Sequence, residues 1–306
     1  MVYGSGMSMR VLVLLGGDSP EREVSLRSGE AVSDALRAGG HEVYEYDPKH
    51  GYDGLSEFKN KVDVVLPIIH GVNGEDGVLQ KELEARGFKF LGADSVSSAL
   101  CFDKTAIKQI LNKLSILTPR SEIVDKDSFS SSSIKASGRY VLKPIKGGST
   151  IDASIVNDST DHADAKIFDK YPTMLLEELI VGNEITVPVL DGKALPVIEI
   201  IPPTGEDFDY ENKYNGETQE LCPPVNVSQK LQAEAQQIAE RLHAAAGIRH
   251  LSRTDIIIDK DDKLWVLEIN TMPGMTSQSL FPKSAKVAGI SMTELVERFS
   301  RMAIKS

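Results

Sequence analysis

The sequence predicts an α/β protein that begins with an open parallel sheet, and two patterns together with the chain length support this. Residues 11–15 form a continuous apolar run that ends in Gly16 and Gly17, as expected for a strand buried on both faces of a parallel sheet. An amphipathic stretch at helical spacing follows, and residues 43–46 and 62–69 are predicted to be further strands. At roughly 100 to 200 residues per domain, 306 residues suggest two or three domains.

Composition excludes several classes of protein. The chain has 34 Lys and Arg against 45 Asp and Glu, a net charge of −11, which argues against a nucleic-acid-binding surface because phosphate neutralisation needs clustered cations. No apolar run approaches the roughly 18 residues of a membrane span, so we expect a cytoplasmic protein. Cys101 and Cys222 lack metal-ligand spacing and are too few for a disulfide framework. Residues 1–8 are set aside as a possible cloning remnant.

The later part of the chain also alternates predicted strands and helices. Strands are predicted over 140–143, 174–178, 185–190 and 194–200, and helices over 94–113 and 228–246. Asp191 and Gly192 are expected to form a hairpin turn between the last two strands. The serine-rich stretch 128–137 is predicted to be a mobile surface connection. The irregular segment 205–224 has the length of a lid or binding loop.

A predicted hairpin near the carboxyl end carries the most informative polar residues. If residues 260–263 form its turn, the strands pair in a register that can be counted back from the turn. The resulting pairs are Asp259 with Leu264, Asp255 with Glu268, and Arg253 with Asn270. Because side chains alternate along a strand, the last two pairs share one face. Carboxylate and carboxamide oxygens suit Mg²⁺ when phosphate and water fill the remaining positions, and a guanidinium can neutralise charge on a reacting oxygen.

The other face of this hairpin is predicted to be core. Its residues are Thr254, Ile256, Ile258, Trp265, Leu267 and Ile269. A solvated polar face with a surface ion pair is the alternative, because alternation alone would produce an exposed polar face as well.

Other polar residues have weaker signals. Lys143 ends a strand that leads into the glycine-bearing loop 147–150, whose N–H groups and hydroxyls can wrap phosphate oxygens, although an ordinary turn explains it as well. Lys104, near a helix start, is by itself more readily explained as a lysine exposed to solvent than as a phosphate contact. His70 is as readily structural as catalytic. Glu21 either complements a helix dipole or pairs with a ligand ammonium.

Taken together, these residues closely resemble the D-alanine:D-alanine ligases, a family of ATP-grasp enzymes of peptidoglycan synthesis. The matching runs are LGGDSPEREVSL at 15–26, HGVNGEDG at 70–77, DK at 103–104, KP at 143–144 with GS at 148–149, DYENKY at 209–214 and LEINTMPGMT at 267–276. They occur in the family's order from about residue 9 to the end of the chain.

The resemblance implies a three-domain ATP-grasp fold, with divisions at 1–92, 93–175 and 176–306 and a lid at 205–224. ATP would lie between the second and third domains. The nucleotide contacts implied are Lys104, Lys143, Ser149, Thr150, Glu177, Glu178, Leu179, Ile180, Glu184 and Lys213. The implied ligands of Mg²⁺, with Mn²⁺ as the alternative metal, are Asp255, Glu268 and Asn270. A homodimer is also implied.

The resemblance assigns the first D-alanine to the amino-terminal domain. Glu21 would accept its ammonium group, with His70 nearby. Tyr214 on the lid would bond Ser149 and, through it, Glu21.

The second D-alanine falls to the carboxyl-terminal domain. Arg253 and the Gly274 N–H would stabilise the tetrahedral oxyanion. Ser279 and the Leu280 backbone would hold the carboxylate of the second substrate.

Three residues depart from the family pattern. Asp152 stands where relatives usually have a second glycine, which puts loop flexibility and ATP affinity in question. Glu178 replaces a common lysine next to the adenine. Pro224 stands where alanine is usual. None of these positions is assigned to chemistry.

Alternative functions are weighed against this assignment. The nearest is a D-alanine:D-lactate or D-alanine:D-serine ligase. A catalytically silent nucleotide-binding protein of the same fold would not need Arg253 together with a complete metal set. A dinucleotide-dependent oxidoreductase is excluded because the loop at 16–20 lacks Gly-x-Gly-x-x-Gly.

Overall fold

Three β-sheets organise residues 8–148, 151–158, 163–203 and 218–305, the part of the chain that the computed structural model describes. The strands are β1 (Arg10–Leu14), β2 (Glu42–Tyr46), β3 (Val64–Pro67), β4 (Ser121–Val124), β5 (Tyr140–Lys143), β6 (Ser154–Val156), β7 (Met174–Glu178), β8 (Gly182–Leu190), β9 (Lys193–Ala194), β10 (Ile198–Ile201), β11 (Gln219–Leu221), β12 (Leu251–Asp259) and β13 (Leu264–Asn270). The helices are α1 (Arg22–Ala38), α2 (Val78–Ala85), α3 (Ser95–Phe102), α4 (Lys104–Lys113), α5 (Lys126–Ser131), α6 (Ile167–Lys170), α7 (Gln229–Ala245), α8 (Leu280–Val287) and α9 (Met292–Lys305).

The first sheet is parallel, with the strand order β2-β1-β3. Side chains of the central strand alternate between two cores. Val11 and Val13 belong to a core that includes residues of α1 and α9, whereas Leu12 and Leu14 belong to a core that includes residues of α2. The prediction of a first strand buried on both faces is therefore confirmed, and β3 is two residues shorter at each end than predicted.

The second sheet is antiparallel, with the order β4-β7-β5-β6. The single helix predicted over 94–113 is wrong, because α3 and α4 are separated at Asp103. Asp103 has an extended backbone and its carboxylate accepts a hydrogen bond from the Thr105 N–H, so it caps α4. This cap places Lys104 at the first position of α4, where its backbone N–H donates to the Ile145 carbonyl at 3.0 Å.

The serine-rich stretch at 128–137 is more regular than the predicted surface connection. Asp125 caps α5 in a capping box with Ser128. Phe129 and Ile134 are buried in the core of the second sheet. Two apolar side chains therefore anchor this otherwise mostly exposed segment to the sheet, and its mobility remains a prediction.

The third sheet has the order β11-β10-β8-β12-β13, and β9 pairs with β8. Asp191 and Gly192 form the predicted turn with φ of 52° and 72°, as a tight hairpin with two left-handed residues requires. The continuous strand predicted over 194–200 is wrong. It is divided into β9 and β10 around Pro196, which has no N–H for a strand ladder. The helix predicted over 228–246 is confirmed by α7.

The hairpin of β12 and β13 changes register along its length. The observed pairs are Arg253 with Asn270, Thr254 with Ile269, Asp255 with Glu268, Ile256 with Val266, Ile257 with Trp265, and Ile258 with Leu264. The two pairs of polar residues are as predicted, but the predicted pairing of Asp259 with Leu264 is wrong. The register shifts between Asp255 and Ile256, which leaves Leu267 as the extra residue of a β-bulge.

The bulge also changes which side chains face the core. Leu264 and Val266 are buried in the core of the third sheet. The predicted core positions of Trp265 and Leu267 are wrong, since Leu267 lines a cavity on the other face. The Trp265 Nε1–H donates to the Asp259 carboxylate at 2.8 Å.

Within the described part of the chain, no helix has the length and apolar character needed to cross a membrane. The proposed domain divisions remain a prediction. The division at 175 falls inside β7, and α8 and α9 contribute to the core of the first sheet.

Candidate active site

A cleft between the second and third sheets contains a cavity of about 480 Å³. β5, β7 and the segment 151–155 contribute one side, and β8, β10, β12 and β13 contribute the other. The sequence-predicted residues that line it are Lys104, Lys143, Glu177, Glu178, Leu179, Ile180, Glu184, Asp255 and Glu268. The structure therefore brings together the described residues that were predicted to hold a nucleotide and two of the three predicted metal ligands.

Apolar side chains cover both walls of this cavity. Val141 and Ile155 line it from the second sheet, and Ile200, Ile257 and Leu267 line it from the third. Such a slot accepts a flat, largely apolar ring with polar groups at its edge. Sequence analysis missed these residues, although Val141 lies two positions before a candidate lysine on β5 and so shares its face.

Two lysines bring positive charge to the cavity. The Lys104 Nζ donates to the Gly147 carbonyl at 2.6 Å, and burial lowers the pKa of Lys104. The Lys143 Nζ lies 2.6 Å from the Glu177 carboxylate. Burial lowers the pKa of Lys143, but the charges of Glu177 and Glu268 outweigh this effect and leave the pKa raised. Both lysines suit a polyphosphate.

Glu177 lies between two lysines and is 2 % exposed. The Lys108 Nζ lies 2.7 Å from its second oxygen, and the same ammonium donates to Thr118 Oγ1 and to the Pro119 carbonyl. Burial raises the pKa of Glu177, and the two lysines outweigh burial and lower it. Sequence analysis missed Lys108, although its i+4 spacing from Lys104 on one helix was an available signal.

The predicted metal ligands lie together on one face of the hairpin. Thr186 Oγ1 donates to Asp255 Oδ1 at 2.5 Å, and Asn270 Oδ1 accepts from the Met272 N–H at 2.8 Å. Glu268 forms no hydrogen bond or ion pair among the described residues, and it lines both the main cavity and a smaller adjoining one. These hard oxygen donors fit a divalent cation such as Mg²⁺.

The protein supplies only part of a coordination sphere for that cation. Among residues 8–148, 151–158, 163–203 and 218–305, no group of three or more His, Cys, Asp or Glu side chains is arranged to hold a metal. Water and phosphate oxygens would therefore complete the sphere, as is common for Mg²⁺.

Arg253 lies beside these acids. Its Nε–H and Nη2–H donate to the two oxygens of Asp255, at 2.9 and 2.8 Å. Burial lowers the pKa of Arg253, but Asp255, with Glu268 and Glu75, raises it above its usual value, so the guanidinium stays charged.

The two loops that follow β1 and β3 meet at the edge of the first sheet, as predicted. Ser19 Oγ donates to the His70 carbonyl at 2.7 Å. Glu21 is 6 % exposed, and a methyl group built on Gly148 would lie 3.6 Å from its Oε2. At Gly71 the same oxygen would be 2.6 Å away, so a side chain there would displace the Glu21 carboxylate, and the φ of 76° also favours glycine. Glu21 therefore lies beside the glycine loop of the second sheet.

Glu75 is a buried acid to which sequence analysis gave no role. Its Oε2 accepts a hydrogen bond from the Gly71 N–H at 2.6 Å, and it lines the smaller cavity. Burial and the neighbouring charge of Glu21 raise the pKa of Glu75 to about 8.

His70 uses both ring nitrogens within the protein. Nδ1 lies 2.9 Å from the Met272 carbonyl and Nε2 lies 3.2 Å from Ser28 Oγ. Burial lowers the pKa of His70 to about 4, so the ring is neutral. The Met272 carbonyl can only accept, and this fixes the Nδ1–H tautomer.

The segment predicted to hold the second substrate follows β13. Ser279 occupies the N-cap position of α8 without a capping hydrogen bond from its side chain, its hydroxyl accepts from the Thr276 N–H at 3.0 Å, and Leu280 is the first residue of the helix. A methyl group built on Gly274 would lie 2.8 Å from Ser279 Oγ, so a side chain there would collide with this hydroxyl. Four further predicted residues lie outside the described part of the chain: Ser149, Thr150, Lys213 and Tyr214.

Comparison with known proteins assigns the chain to a family. Residues 116–300 match the model of the carboxyl-terminal part of D-Ala–D-Ala ligases. A D-alanine–D-alanine ligase of Gloeobacter violaceus is 40 % identical over 298 residues, which is 95 % of this chain and 98 % of the relative. The chain belongs to the D-alanine–D-alanine ligase family. It is an ATP-grasp ligase, and the fold predicted from its motifs is confirmed.

Solved structures of this ligase family have the same fold. The D-alanine–D-alanine ligase of Bacillus anthracis in complex with ATP has a TM-score of 0.82 and 30 % identity, over 97 % of this chain and 98 % of that one. The VanG D-Ala:D-Ser ligase of Enterococcus faecalis has a TM-score of 0.79 and 25 % identity, over 97 % and 100 %. Ligases with different second substrates therefore share this architecture.

Proposed function

We propose that this chain joins two molecules of D-alanine to D-alanyl-D-alanine in the cytoplasm, with ATP and Mg²⁺, for peptidoglycan precursor synthesis. One observation carries the proposal. Glu21, from the first sheet, lies beside Gly148 of the glycine loop, next to the cavity that Lys143, Asp255 and Glu268 line. An amino acid whose ammonium pairs with Glu21 has its carboxylate at the phosphate end of a nucleotide in that cavity.

The first step makes the carboxylate of the first D-alanine an electrophile. An oxygen of this carboxylate attacks the γ-phosphorus of ATP, the bond to the β-phosphate oxygen breaks, and ADP leaves. Lys104 and Lys143 offset the negative charge of the phosphates. Mg²⁺ held by Asp255, Glu268 and Asn270, or Mn²⁺ in its place, would supply Lewis-acid stabilisation of the transferring group.

The second step forms the peptide bond. The neutral amine of the second D-alanine attacks the acyl carbon, loses a proton, and phosphate departs. Negative charge develops on the acyl oxygen, where Arg253 and the Gly274 N–H would donate hydrogen bonds. Ser279 and the Leu280 N–H at the start of α8 would hold the carboxylate of this D-alanine.

D-lactate and D-serine are the alternatives to D-alanine as second substrate. D-lactate and D-serine share the carboxylate that α8 would bind, and the VanG ligase of similar fold is a D-Ala:D-Ser enzyme. Lys213 and Tyr214, which favour the dipeptide-forming type by resemblance, lie outside the described residues. A silent nucleotide-binding protein is less well supported, because it needs no charged Arg253 beside the acids.

One assay tests the proposal. Phosphate release from ATP and Mg²⁺ is measured with D-alanine, L-alanine, D-alanine plus D-lactate, and D-alanine plus D-serine, and products are identified by mass spectrometry. We expect D-alanyl-D-alanine, ADP and phosphate, with no product from L-alanine. ATP binding without D-alanine-dependent phosphate release would contradict the proposal and favour a silent binder.

We also propose that the chain forms a homodimer through its amino-terminal region. Light scattering of the purified chain tests this, and a monomer at micromolar concentration would contradict it.

A further inference from the structure

A buried serine of the first helix makes contacts that the proposed reaction does not yet use. Ser28 is fully buried in α1. Its Oγ accepts a hydrogen bond from the Met275 N–H at 3.2 Å and lies 3.2 Å from His70 Nε2. Because that N–H occupies a lone pair of the oxygen, the hydroxyl proton is free to bond the ring nitrogen.

The contacts close around one short segment. His70 Nδ1–H donates to the Met272 carbonyl at 2.9 Å, and the Ser28 hydroxyl accepts from Met275, three residues later. Ser28 and His70 therefore hold both ends of the stretch 272–275. In these three hydrogen bonds every donor meets an acceptor. The arrangement requires a neutral His70 ring, which agrees with a pKa of His70 lowered to about 4 by burial.

The held segment leaves one N–H available. Asn270 Oδ1 accepts from the Met272 N–H, Pro273 has no N–H, and the Met275 N–H bonds Ser28. Among the described residues, no hydrogen bond is formed by the Gly274 N–H. Gly274 is half-buried, and an N–H that bonds none of the described residues suits a position where an anion forms during a reaction.

We propose that Ser28 is a positioning residue of the ligase reaction: with His70 it fixes residues 272–275 so that the Gly274 N–H meets the oxyanion of peptide-bond formation. This inference rests on the proposed function, and it adds a residue of the amino-terminal helix to the site for the second step. Ser28 touches no reacting atom and acts through the segment that it holds.

The variant Ser28→Ala tests this role. It removes the hydroxyl, so we expect kcat/KM for dipeptide formation to fall about tenfold or more, since small misplacements of catalytic groups are costly. The affinity for a phosphinate dipeptide analogue, whose tetrahedral P–O⁻ group resembles the oxyanion, should fall by the same factor. The KM for ATP should stay within about twofold, because the nucleotide cavity does not include this serine.

Ser33→Ala is the matched control. Ser33 is also fully buried in α1, and its hydroxyl has no hydrogen-bond partner among the described residues. Its substitution removes the same atom from the same helix, and we expect activity and analogue affinity to remain unchanged. If Ser28→Ala behaves like Ser33→Ala, or loses activity without losing analogue affinity, the inference is overturned.

Two further variants keep the test decisive if Ser28→Ala folds poorly. Ser28→Thr retains a hydroxyl and should recover most of the lost activity. His70→Asn keeps a donor for Met272 but is too short to reach Ser28, so it should lower analogue affinity in the same direction. Normal analogue affinity in His70→Asn would overturn the inference. If the wild-type chain forms no dipeptide, the proposed function fails together with this inference. If the wild type is active and only the variants depart from the expected results, this inference fails alone.

Discussion

Arg253 donates two hydrogen bonds to Asp255, the residue two positions further along the same strand. Residues i and i+2 of a strand share a face, so this contact follows directly from the strand geometry. Within the part of the chain that the structure describes, this contact uses two of the five N–H groups of the guanidinium, which leaves three for another anion. One contact therefore orients a candidate metal ligand and leaves an electrophilic group beside it.

Replacing Arg253 with lysine tests this double role. Lysine keeps the positive charge but cannot form the two-point contact with Asp255, so we expect turnover to fall about 100-fold at saturating substrates. Steady-state phosphate release measures this. Arg249→Lys is the control, because Arg249 donates to the Gly92 carbonyl, away from the acids. Activity of Arg253→Lys within threefold of the wild type would contradict the assignment.

Glu268→Gln separates the metal role from a structural one. The Glu268 carboxylate has no hydrogen bond or ion pair among the described residues and acts on Lys143 and Arg253 only through its charge, so neutralising it should lower the unfolding temperature only slightly. Loss of an anionic ligand should reduce turnover at least about 100-fold and raise the Mg²⁺ concentration needed for half-maximal rate. Asp261→Asn in the exposed turn is the control. Near-normal turnover of Glu268→Gln would remove the metal assignment.

The polar face of the hairpin was predictable from the sequence, but the bulge was not. Alternation placed Asp255 opposite Glu268 correctly, although the turn contains one residue more than was counted. The extra residue in the turn and the extra residue in the bulge offset each other, so the pairs beyond the bulge have the predicted register. A bulge at Leu267 depends on packing against the rest of the sheet, and no local pattern announces it. The apolar wall that it creates was therefore missed.

The helix break had a sequence signal that was overlooked. Asp103 before Lys104 and Thr105 is a typical cap, but the apolar spacing on both sides favoured one long helix. In contrast, the burial of Glu75 and the pairing of Lys108 depend on contacts between segments that are distant in the chain. Only the folded structure brings those partners together.

Lys108→Met tests whether the buried pair with Glu177 positions Lys143. Both partners are buried, so loss of one should cost about 3 kcal/mol of unfolding free energy. The KM for ATP should rise, because Glu177 is then free to shift together with Lys143. The measurements are urea unfolding and nucleotide titration.

A double variant tests whether the charge pair itself positions Lys143. Removing both charges in Lys108→Met with Glu177→Gln should not recover the lost stability, since the buried Lys143 ammonium then loses its carboxylate partner. It should not restore the KM for ATP. Lys113→Met, on the exposed end of the same helix, is the control. An unchanged KM in Lys108→Met would contradict the positioning role.

His243 should make stability depend on pH. Burial lowers its pKa to about 4, whereas an unfolded histidine has a pKa near 6.5. The unfolded chain therefore binds a proton between these values while the folded chain does not, so stability is complete above about pH 6.5 and is lost as pH falls toward 4. By pH 5 the loss should reach about 2 kcal/mol relative to pH 7 for this residue. Urea unfolding at several pH values measures this. In His243→Gln the loss of unfolding free energy between pH 7 and pH 5 should be smaller than in the wild type by that amount, and an equal loss in both proteins would contradict the assignment.

Asp152 should set the affinity for ATP through the loop that carries it. It has a φ of 58°, and its carboxylate accepts from the Lys170 Nζ at 2.5 Å and the Tyr171 hydroxyl at 2.6 Å, while Ile151 and Ala153 on either side line the cavity. Glycine adopts this backbone without strain but cannot make the contacts. We therefore expect Asp152→Gly and Tyr171→Phe to raise the KM for ATP severalfold with kcat within twofold. Asp169→Asn is the control, because Asp169 lies in α6 next to Lys170, and it should change neither constant. An unchanged KM in both variants would mean that the carboxylate does not anchor the wall of the cavity.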